Sequence, residues 1–232
     1  MKNILLIGGS YGIGLAIAKE LQFENNVYIA SRSNENLVDL KATYIPFDAT
    51  TDTIDTSLLP TIIDGLVYCP GSINLRPFKG IKPEAFEADL QINFISLVKV
   101  IQSVLPNLLA SEQASIVTFS SVAATMGMPF HTSVSASKGA IEGFAKALAA
   151  EYAPKIRVNV IAPSLTDTPL ADKFLNNETK QEKSAERHPL KRFGKPEDSA
   201  QMATFLLSDK SSWISGQIFH VDGGMSTLLV NG

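Results

Sequence analysis

The chain has 232 residues, 45% of them hydrophobic and 19% charged, which is ordinary for a soluble globular protein. Its 20 Lys and Arg against 23 Asp and Glu leave a formal charge of −3, so it lacks the basic footprint expected for binding nucleic acid or an anionic membrane. Cys69 is the only cysteine, which excludes an intramolecular disulfide and favours a reducing, cytoplasmic setting. The first apolar run, 4–7, is too short for a signal sequence, and no later stretch reaches the roughly 18 uninterrupted apolar residues of a membrane span.

Short apolar runs alternate with segments of helical period along the chain, which predicts a parallel sheet with helices on both faces. Seven strands are expected, at 3–7, 27–30, 44–46, 65–69, 115–120, 157–162 and 217–221. Helices are expected at 12–23, 34–41 (short), 83–109, 133–151 and 196–207, with a loop or one helical turn at 50–60 and a strongly polar helical stretch at 168–187. Composition does not break anywhere, so we expect one domain over 1–232.

A glycine-rich turn follows the first predicted strand and opens the first helix, in the order Gly8-Gly9-Ser10-Tyr11-Gly12-Ile13-Gly14. Gly8 allows a tight exit from the strand, Gly12 lets a phosphate approach backbone N–H groups, and Gly14 lets helix and strand pack closely. The spacing differs from G-x-G-x-x-G, and a glycine turn without a ligand is the alternative. Its position favours a dinucleotide site that includes Ser10, Tyr11 and Ile13, in a Rossmann-type, doubly wound α/β fold.

The end of the second strand decides which dinucleotide is bound. An acidic residue there would hold the ribose 2′-hydroxyl of NAD, but the segment reads Ser31-Arg32-Ser33. Arg32 can pair bidentately with a 2′-phosphate, and the two serines can add hydrogen bonds. This favours NADP(H) over NAD(H); the alternative is that Arg32 is a solvated surface charge.

Together with these residues, further motifs make the whole chain resemble the short-chain dehydrogenase/reductase family, closest to its 3-oxoacyl-carrier-protein reductases. The motifs are Asp48, Asn93, Ser121 with Lys138, Asn-Val-Ile-Ala-Pro at 159–163, Arg-Phe-Gly-Lys-Pro-Glu-Asp at 192–198, and the glycine-containing segment 216–224. The resemblance implies a small-molecule carbonyl or alcohol substrate and a homotetramer. No metal site is expected.

The resemblance also implies further cofactor contacts. Asp48 and Ala49 would lie beside the adenine, and Lys138 would bind the nicotinamide ribose. It implies that Gly71 packs against the ribose, that Pro163 lies near the nicotinamide and that Thr168 binds the carboxamide or a phosphate. Thr166 is a further implied cofactor contact. Two loops depart from the family pattern: 68–71 reads Tyr-Cys-Pro-Gly in place of Asn-Asn-Ala-Gly, and Ser164 follows Pro163 in place of glycine.

The implied catalytic residues are Ser121, Lys138 and Asn93, but the tyrosine that donates the proton in the family is missing. Four residues before Lys138, where one helix face would carry it, stands Val134. Val134 is also thirteen residues after Ser121, which is the family interval, so the tyrosine is absent rather than displaced. Loss of a positioned general acid typically costs about 10²–10⁴-fold in rate.

Three interpretations of Val134 follow. In the first, the protein is an oxidoreductase whose proton comes from a water held by Lys138, Ser121 and the cofactor ribose, or from His131, for which an ordinary loop histidine is the alternative. In the second, it is a weakly active or inactive NADP(H)-binding regulator or supporting subunit. In the third, it is a variant whose tyrosine was replaced. The departures at 68–70 and at Ser164 favour natural divergence, and we prefer the enzyme.

The polar segment 170–187 is expected to form a mobile lid over the cofactor.

Overall fold

The computed structural model describes residues 1–230 and contains one seven-stranded sheet in which every neighbouring pair is parallel. The order across the sheet is β3-β2-β1-β4-β5-β6-β7. From β1 the strand order runs outward through β2 to β3, and from β4 it runs in the opposite direction through β5 and β6 to β7. This reversal opens a crevice at the carboxyl ends of β1 and β4. The strands are β1 (Lys2–Ile7), β2 (Asn25–Ser31), β3 (Ala42–Pro46), β4 (Gly65–Tyr68), β5 (Ala114–Phe119), β6 (Ile156–Pro163) and β7 (Ile218–Val221). The predicted Rossmann-type α/β fold is confirmed.

Seven α-helices lie within the described residues and cover both faces of the sheet. They are α1 (Gly12–Leu21), α2 (Pro83–Leu90), α3 (Ser96–Leu109), α4 (Thr132–Tyr152), α5 (Asp172–Leu175), α6 (Glu178–Glu186) and α7 (Pro196–Leu207). Successive side chains of β1 show how the layers form, because they alternate between two buried clusters. Ile4 and Leu6 pack on the α1 and α7 side, whereas Leu5 and Ile7 pack on the α3 and α4 side.

Three predicted helices differ from the structure. The segment 34–41 forms only a 3₁₀ turn at Glu35–Leu37; Leu37 is buried there, and the next residue, Val38, is exposed. The continuous helix expected over 83–109 is divided by a π-helical turn at Gln91–Ile95. The polar stretch 168–187 divides into a 3₁₀ turn at Pro169–Ala171 followed by α5 and α6. The loop expected at 50–60 contains one 3₁₀ turn, Thr56–Leu58.

Within residues 1–230, the segment Pro83–Leu109 is the one helical stretch long and apolar enough to cross a membrane by length and composition. In this fold its α3 part lies on the sheet and buries Leu97, Ile101 and Val104 in the core. The apolar character of this helix is therefore explained by core packing.

Candidate active site

A cleft of about 520 Å³ opens at the carboxyl ends of β1, β4, β5 and β6 and is closed on its outer side by α5 and α6. Most of the residues predicted for the site line this one cleft: Gly8, Tyr11, Gly12, Ile13, Gly14, Gly71, Ser121, Lys138, Pro163, Thr166 and Thr168. The others lie outside the lining: Ser10, Ser31, Arg32, Ser33, Asp48, Ala49 and Asn93.

The glycine turn has the geometry that a bound phosphate needs. Gly8 and Gly12 have φ values of +78° and +52°, which favour glycine. A Cβ on Gly14 would lie 2.3 Å from the carbonyl oxygen of Gly8, so only glycine allows this approach of α1 to β1. No side chain caps the N-terminus of α1, and its first turn holds no acidic residue. Its free N–H groups and positive dipole end therefore fit the pyrophosphate of a dinucleotide.

The residues predicted to select the dinucleotide meet at the end of β2. The Ser31 hydroxyl donates to the carbonyl oxygen of Ser33 at 2.9 Å, and the Ser33 hydroxyl donates to the Tyr11 hydroxyl at 3.2 Å. The Tyr11 hydroxyl donates in turn to Glu35 at 3.3 Å. Arg32 is exposed and forms no ion pair with any of residues 1–230, so its guanidinium remains available to a ligand.

Asp48 lies outside the cleft lining, two residues after β3, and is close enough to Arg32 for the two charges to interact. Hydrogen bonds from the Thr50 hydroxyl at 2.6 Å and the Thr50 amide at 2.8 Å lower the pKa of Asp48 below its ordinary value. The attraction of Arg32 contributes in the same direction. The carboxylate is thereby held as a charged hydrogen-bond acceptor.

Asn93 is fully buried on the π-helical turn, behind the cleft wall. Its side-chain amide donates to Ser72 at 3.0 Å and to Ser137 at 3.1 Å, and its Oδ1 accepts from the Ser72 amide at 3.3 Å. A Cβ on Gly71 would lie 3.0 Å from Asn93 Oδ1 and 3.2 Å from Lys138 Nζ. Asn93 thus supports the loop after β4 and the helix that carries Lys138, without reaching the cleft surface.

Lys138 is 8% exposed, and its ammonium donates to the carbonyl oxygen of Phe119 at 2.9 Å, at the end of β5. Burial lowers the pKa of Lys138 to about 8, while Cys69 and Asp89 act in the opposite direction. Burial also raises the pKa of Cys69 to about 12, so this side chain is a neutral thiol near pH 7. Lys138 is consequently a cation at neutral pH that can lose its proton within an accessible range.

Val134 lies on α4 in the turn before Lys138, lines the cleft, and is 4% exposed. The Ser121 hydroxyl accepts a hydrogen bond from the Ala123 amide at 3.2 Å and faces the same cleft. His131, directly before α4, also lines it; its Nδ1 is 2.7 Å from the carbonyl oxygen of Pro129 and is therefore the protonated nitrogen. The fold thus brings Ser121, Val134, Lys138 and His131 to the same cleft.

A buried histidine that the sequence did not reveal joins α6 to the residue that follows β6. His188 is 3% exposed and lines the cleft, with Nε2 at 2.9 Å from the Ser164 hydroxyl and Nδ1 at 2.7 Å from the carbonyl oxygen of Ser184. A carbonyl oxygen only accepts, so Nδ1 carries a hydrogen, and in the neutral ring Ser164 donates to Nε2. The replacement of glycine by Ser164 was the one available signal for this contact.

Asp89 is a second group that sequence reasoning missed. It is fully buried on α2 and accepts hydrogen bonds from the hydroxyls of Ser72 and Ser133 and from the Asn74 amide at 2.7 Å. Ser72 belongs to the loop after β4, and Ser133 lies next to Val134. Asp89 therefore connects two walls of the cleft through a satisfied polar network.

The cleft with its uncapped helix N-terminus and Ser–Lys wall defines a dinucleotide-binding α/β protein of the Rossmann class. Over residues 8–226 the chain matches the family described as Enoyl-(Acyl carrier protein) reductase. It is 33% identical over 241 residues to 3-oxoacyl-[acyl-carrier-protein] reductase FabG of Thermotoga maritima, covering 97% of both chains. It is 32% identical over 251 residues to 2-(S)-hydroxypropyl-CoM dehydrogenase 3 of Xanthobacter autotrophicus, covering 98% of both.

Solved structures agree with this comparison. A short-chain dehydrogenase/reductase of Brucella melitensis superimposes with a TM-score of 0.89 and 30% identity, with 97% of this chain and 96% of that one covered. Ligand-free aldohexose dehydrogenase of Thermoplasma acidophilum gives a TM-score of 0.88 and 27% identity, with 100% and 96% covered. The chain belongs to the short-chain dehydrogenase/reductase family, whose members are oxidoreductases that bind nicotinamide cofactors.

Proposed function

We propose that the protein is an NADP(H)-dependent oxidoreductase of the carbonyl reductase or alcohol dehydrogenase type that works without an active-site tyrosine. The observation that carries this proposal is the shared cleft: Ser121 and Lys138 line the same space as the uncapped N-terminus of α1, with Val134 beside them. The Ser121 hydroxyl accepts from the Ala123 amide, and its own hydrogen has no acceptor among residues 1–230, so it can donate to a substrate oxygen.

The preference for NADP(H) rests on Arg32. Its guanidinium has no ion-pair partner among residues 1–230, and the hydroxyls of Ser31 and Ser33 flank it. A 2′-phosphate would receive charge-assisted hydrogen bonds there, whereas a 2′-hydroxyl would leave the charge unpaired. Glu35 is engaged by the Tyr11 hydroxyl rather than by Arg32.

The bound nicotinamide nucleotide would supply the hydride, and the protein's own groups would bind the carbonyl and provide the proton. The Ser121 hydroxyl would donate to the substrate oxygen and orient it. Lys138 keeps two N–H bonds beyond the one it gives to Phe119, and these can hold a water next to that oxygen. Its pKa of about 8 leaves the ammonium charged at neutral pH, so it favours the anionic oxygen that forms. His131, which lines the same cleft, is the second proton source in the form that also carries a proton on Nε2, since its Nδ1 is engaged by the Pro129 carbonyl.

The alternative function is an NADP(H)-binding regulator or a supporting subunit, and the aliphatic Val134 in the cleft favours it. Turnover of NADPH with a panel of carbonyl compounds separates the two. An enzyme loses turnover when either Ser121→Ala or Lys138→Ala is introduced. A regulator binds NADPH tightly and turns over none of the panel.

We further propose a cytoplasmic homotetramer that binds neither nucleic acid nor membrane. Support for assembly comes from apolar side chains left on the surface of the single chain, among them Trp213 at 99% exposure and Leu229 at 97%. A solution mass equal to one chain by light scattering would contradict the tetramer.

A further inference from the structure

The charged residues that line the cleft are all cationic. They are Lys138, Lys173, Lys180, Lys183 and Arg187, and no aspartate or glutamate of the described residues joins them. The chain as a whole carries 23 acidic residues against 20 basic ones, so this selection does not follow from composition. The cleft therefore has a positive field that favours an anionic ligand.

Helix α6 carries its acidic and basic residues on different sides, and only the basic side lines the cleft. Its acidic residues Glu178, Glu182 and Glu186 follow one another at intervals of four, and none of them lines the cleft. The basic residues at 180, 183 and 187 follow at intervals of three and four, and all of them line it. At about 100° per residue the two stripes are centred roughly 130° apart on the helix. Simple solvation of a surface helix does not require this separation of charge.

Of the four cationic residues in the lid segment 170–187 that line the cleft, two donate hydrogen bonds within residues 1–230 and two do not. Lys173 Nζ donates to the carbonyl oxygen of Ile73 at 3.0 Å, and Lys180 Nζ donates to that of Lys173 and to Asn176 Oδ1, both at 2.8 Å. Lys183 and Arg187 form no side-chain hydrogen bond or ion pair with any of residues 1–230. These two therefore remain available to a ligand in the cleft.

Apolar side chains also line the cleft, among them Ile73, Leu75, Met128, Phe174 and Met225. The one cleft thus combines the Ser121 hydroxyl and the Lys138 ammonium with apolar side chains and with the two unpartnered cations Lys183 and Arg187 of the lid.

We propose that the substrate is a carbonyl compound, or the matching alcohol, that carries a carboxylate or phosphate group bound by Lys183 and Arg187. This inference rests on the proposed oxidoreductase function and names its substrate class. The carbonyl lies at Ser121 and Lys138, a short apolar segment packs on the apolar side chains of the cleft, and the anion reaches the lid. Arg187 is suited to a bidentate pair with either anion.

Lys183 and Arg187 could instead bind the phosphates of the cofactor, so the experiment distinguishes a substrate anion from a cofactor phosphate. Methyl-ketone carboxylates of increasing chain length are compared with their methyl esters, by NADPH oxidation and by calorimetric titration into the NADP⁺ complex. The wild type prefers the carboxylate at low salt, and the preference falls as ionic strength rises. Lys183→Met and Arg187→Met each weaken carboxylate binding by roughly 10- to 100-fold and leave ester and NADPH binding unchanged.

Two controls test whether the lid itself is damaged. Glu182→Gln changes charge on the side of α6 that does not line the cleft, and Lys155→Met removes an exposed cation at the amino end of β6, whereas the cleft lies at the carboxyl ends of the strands; both leave the carboxylate preference intact. The inference is overturned if carboxylate and ester bind equally, or if the lid variants weaken NADPH and not the carboxylate. Carboxylate binding that depends on Arg187 without any turnover upholds the anion site while refuting the oxidoreductase.

Discussion

Replacement of Val134 by tyrosine tests whether the pocket keeps the geometry of a reductase. On α4 a tyrosine here would stand one turn before Lys138, with Cβ atoms about 5–6 Å apart. At an effective dielectric constant of about 20, a phenolate and an ammonium with their charges about 5–6 Å apart would attract each other by roughly 3 kcal/mol. This interaction lowers the pKa of the phenol toward neutrality, which is what a proton donor needs. The ring can enter the 520 Å³ cleft that Val134 already lines.

We expect Val134→Tyr to increase kcat for NADPH-dependent carbonyl reduction by about 10²–10⁴-fold, equivalent to roughly 3–5 kcal/mol of barrier. Val134→Phe fills the same space without a hydroxyl and is expected to give no increase. Adding Lys138→Ala to Val134→Tyr should remove most of the gain. If the tyrosine variant folds and binds NADPH but gains nothing, or if phenylalanine gives an equal gain, the reasoning about this pocket is refuted.

Three further predictions concern the nucleotide and the buried lysine. Arg32→Ala should raise the Kd for NADPH by roughly 10- to 100-fold in fluorescence titrations and leave that for NADH almost unchanged; equal losses for both would refute the role of Arg32. Gly14→Ala, whose new Cβ would lie 2.3 Å from the Gly8 carbonyl oxygen, should lower the Tm and abolish nucleotide binding, while Gly80→Ala, which meets nothing within 4 Å, should do neither. Folding lowers the pKa of Lys138 from 10.5 to about 8, so the unfolded chain holds more protons between these values and the unfolding free energy rises with pH across that window, by up to about 3 kcal/mol. Denaturant unfolding at pH 8 and pH 10.5 should show this rise in the wild type, and Lys138→Met should lack that part of it.

The sequence was sufficient for the sheet and for the glycine turn, because both depend on local patterns. Apolar runs such as 4–7 are buried in the sheet, and the glycines occur where a tight turn meets a helix start. The helix predicted at 34–41 does not form, because the segment has too few apolar residues to bury against the rest of the protein. The π-helical turn that holds Asn93 carries no recognisable pattern of its own.

The cleft was predicted less completely because its contacts join distant residues. Ser164 and His188 are 24 positions apart, and Asp89 and Ser133 are 44 apart, so neither pair forms a motif. The charges of α6 are visible in the sequence, yet only the position of the helix over the cleft shows that its basic side faces inward. Tertiary placement, rather than residue type, decides the function of such groups.

Isotope transfer tests most directly whether this site reduces a carbonyl without a tyrosine. The wild-type protein is incubated with a carbonyl substrate and NADPH that carries deuterium on the transferring carbon of the nicotinamide, and the product alcohol is analysed by mass spectrometry. We predict that the alcohol contains one deuterium, and that Ser121→Ala abolishes its formation. If the wild type forms no deuterated alcohol from any carbonyl of the panel while Val134→Tyr does, the protein is a nucleotide-binding relative of these reductases and not an enzyme of their kind.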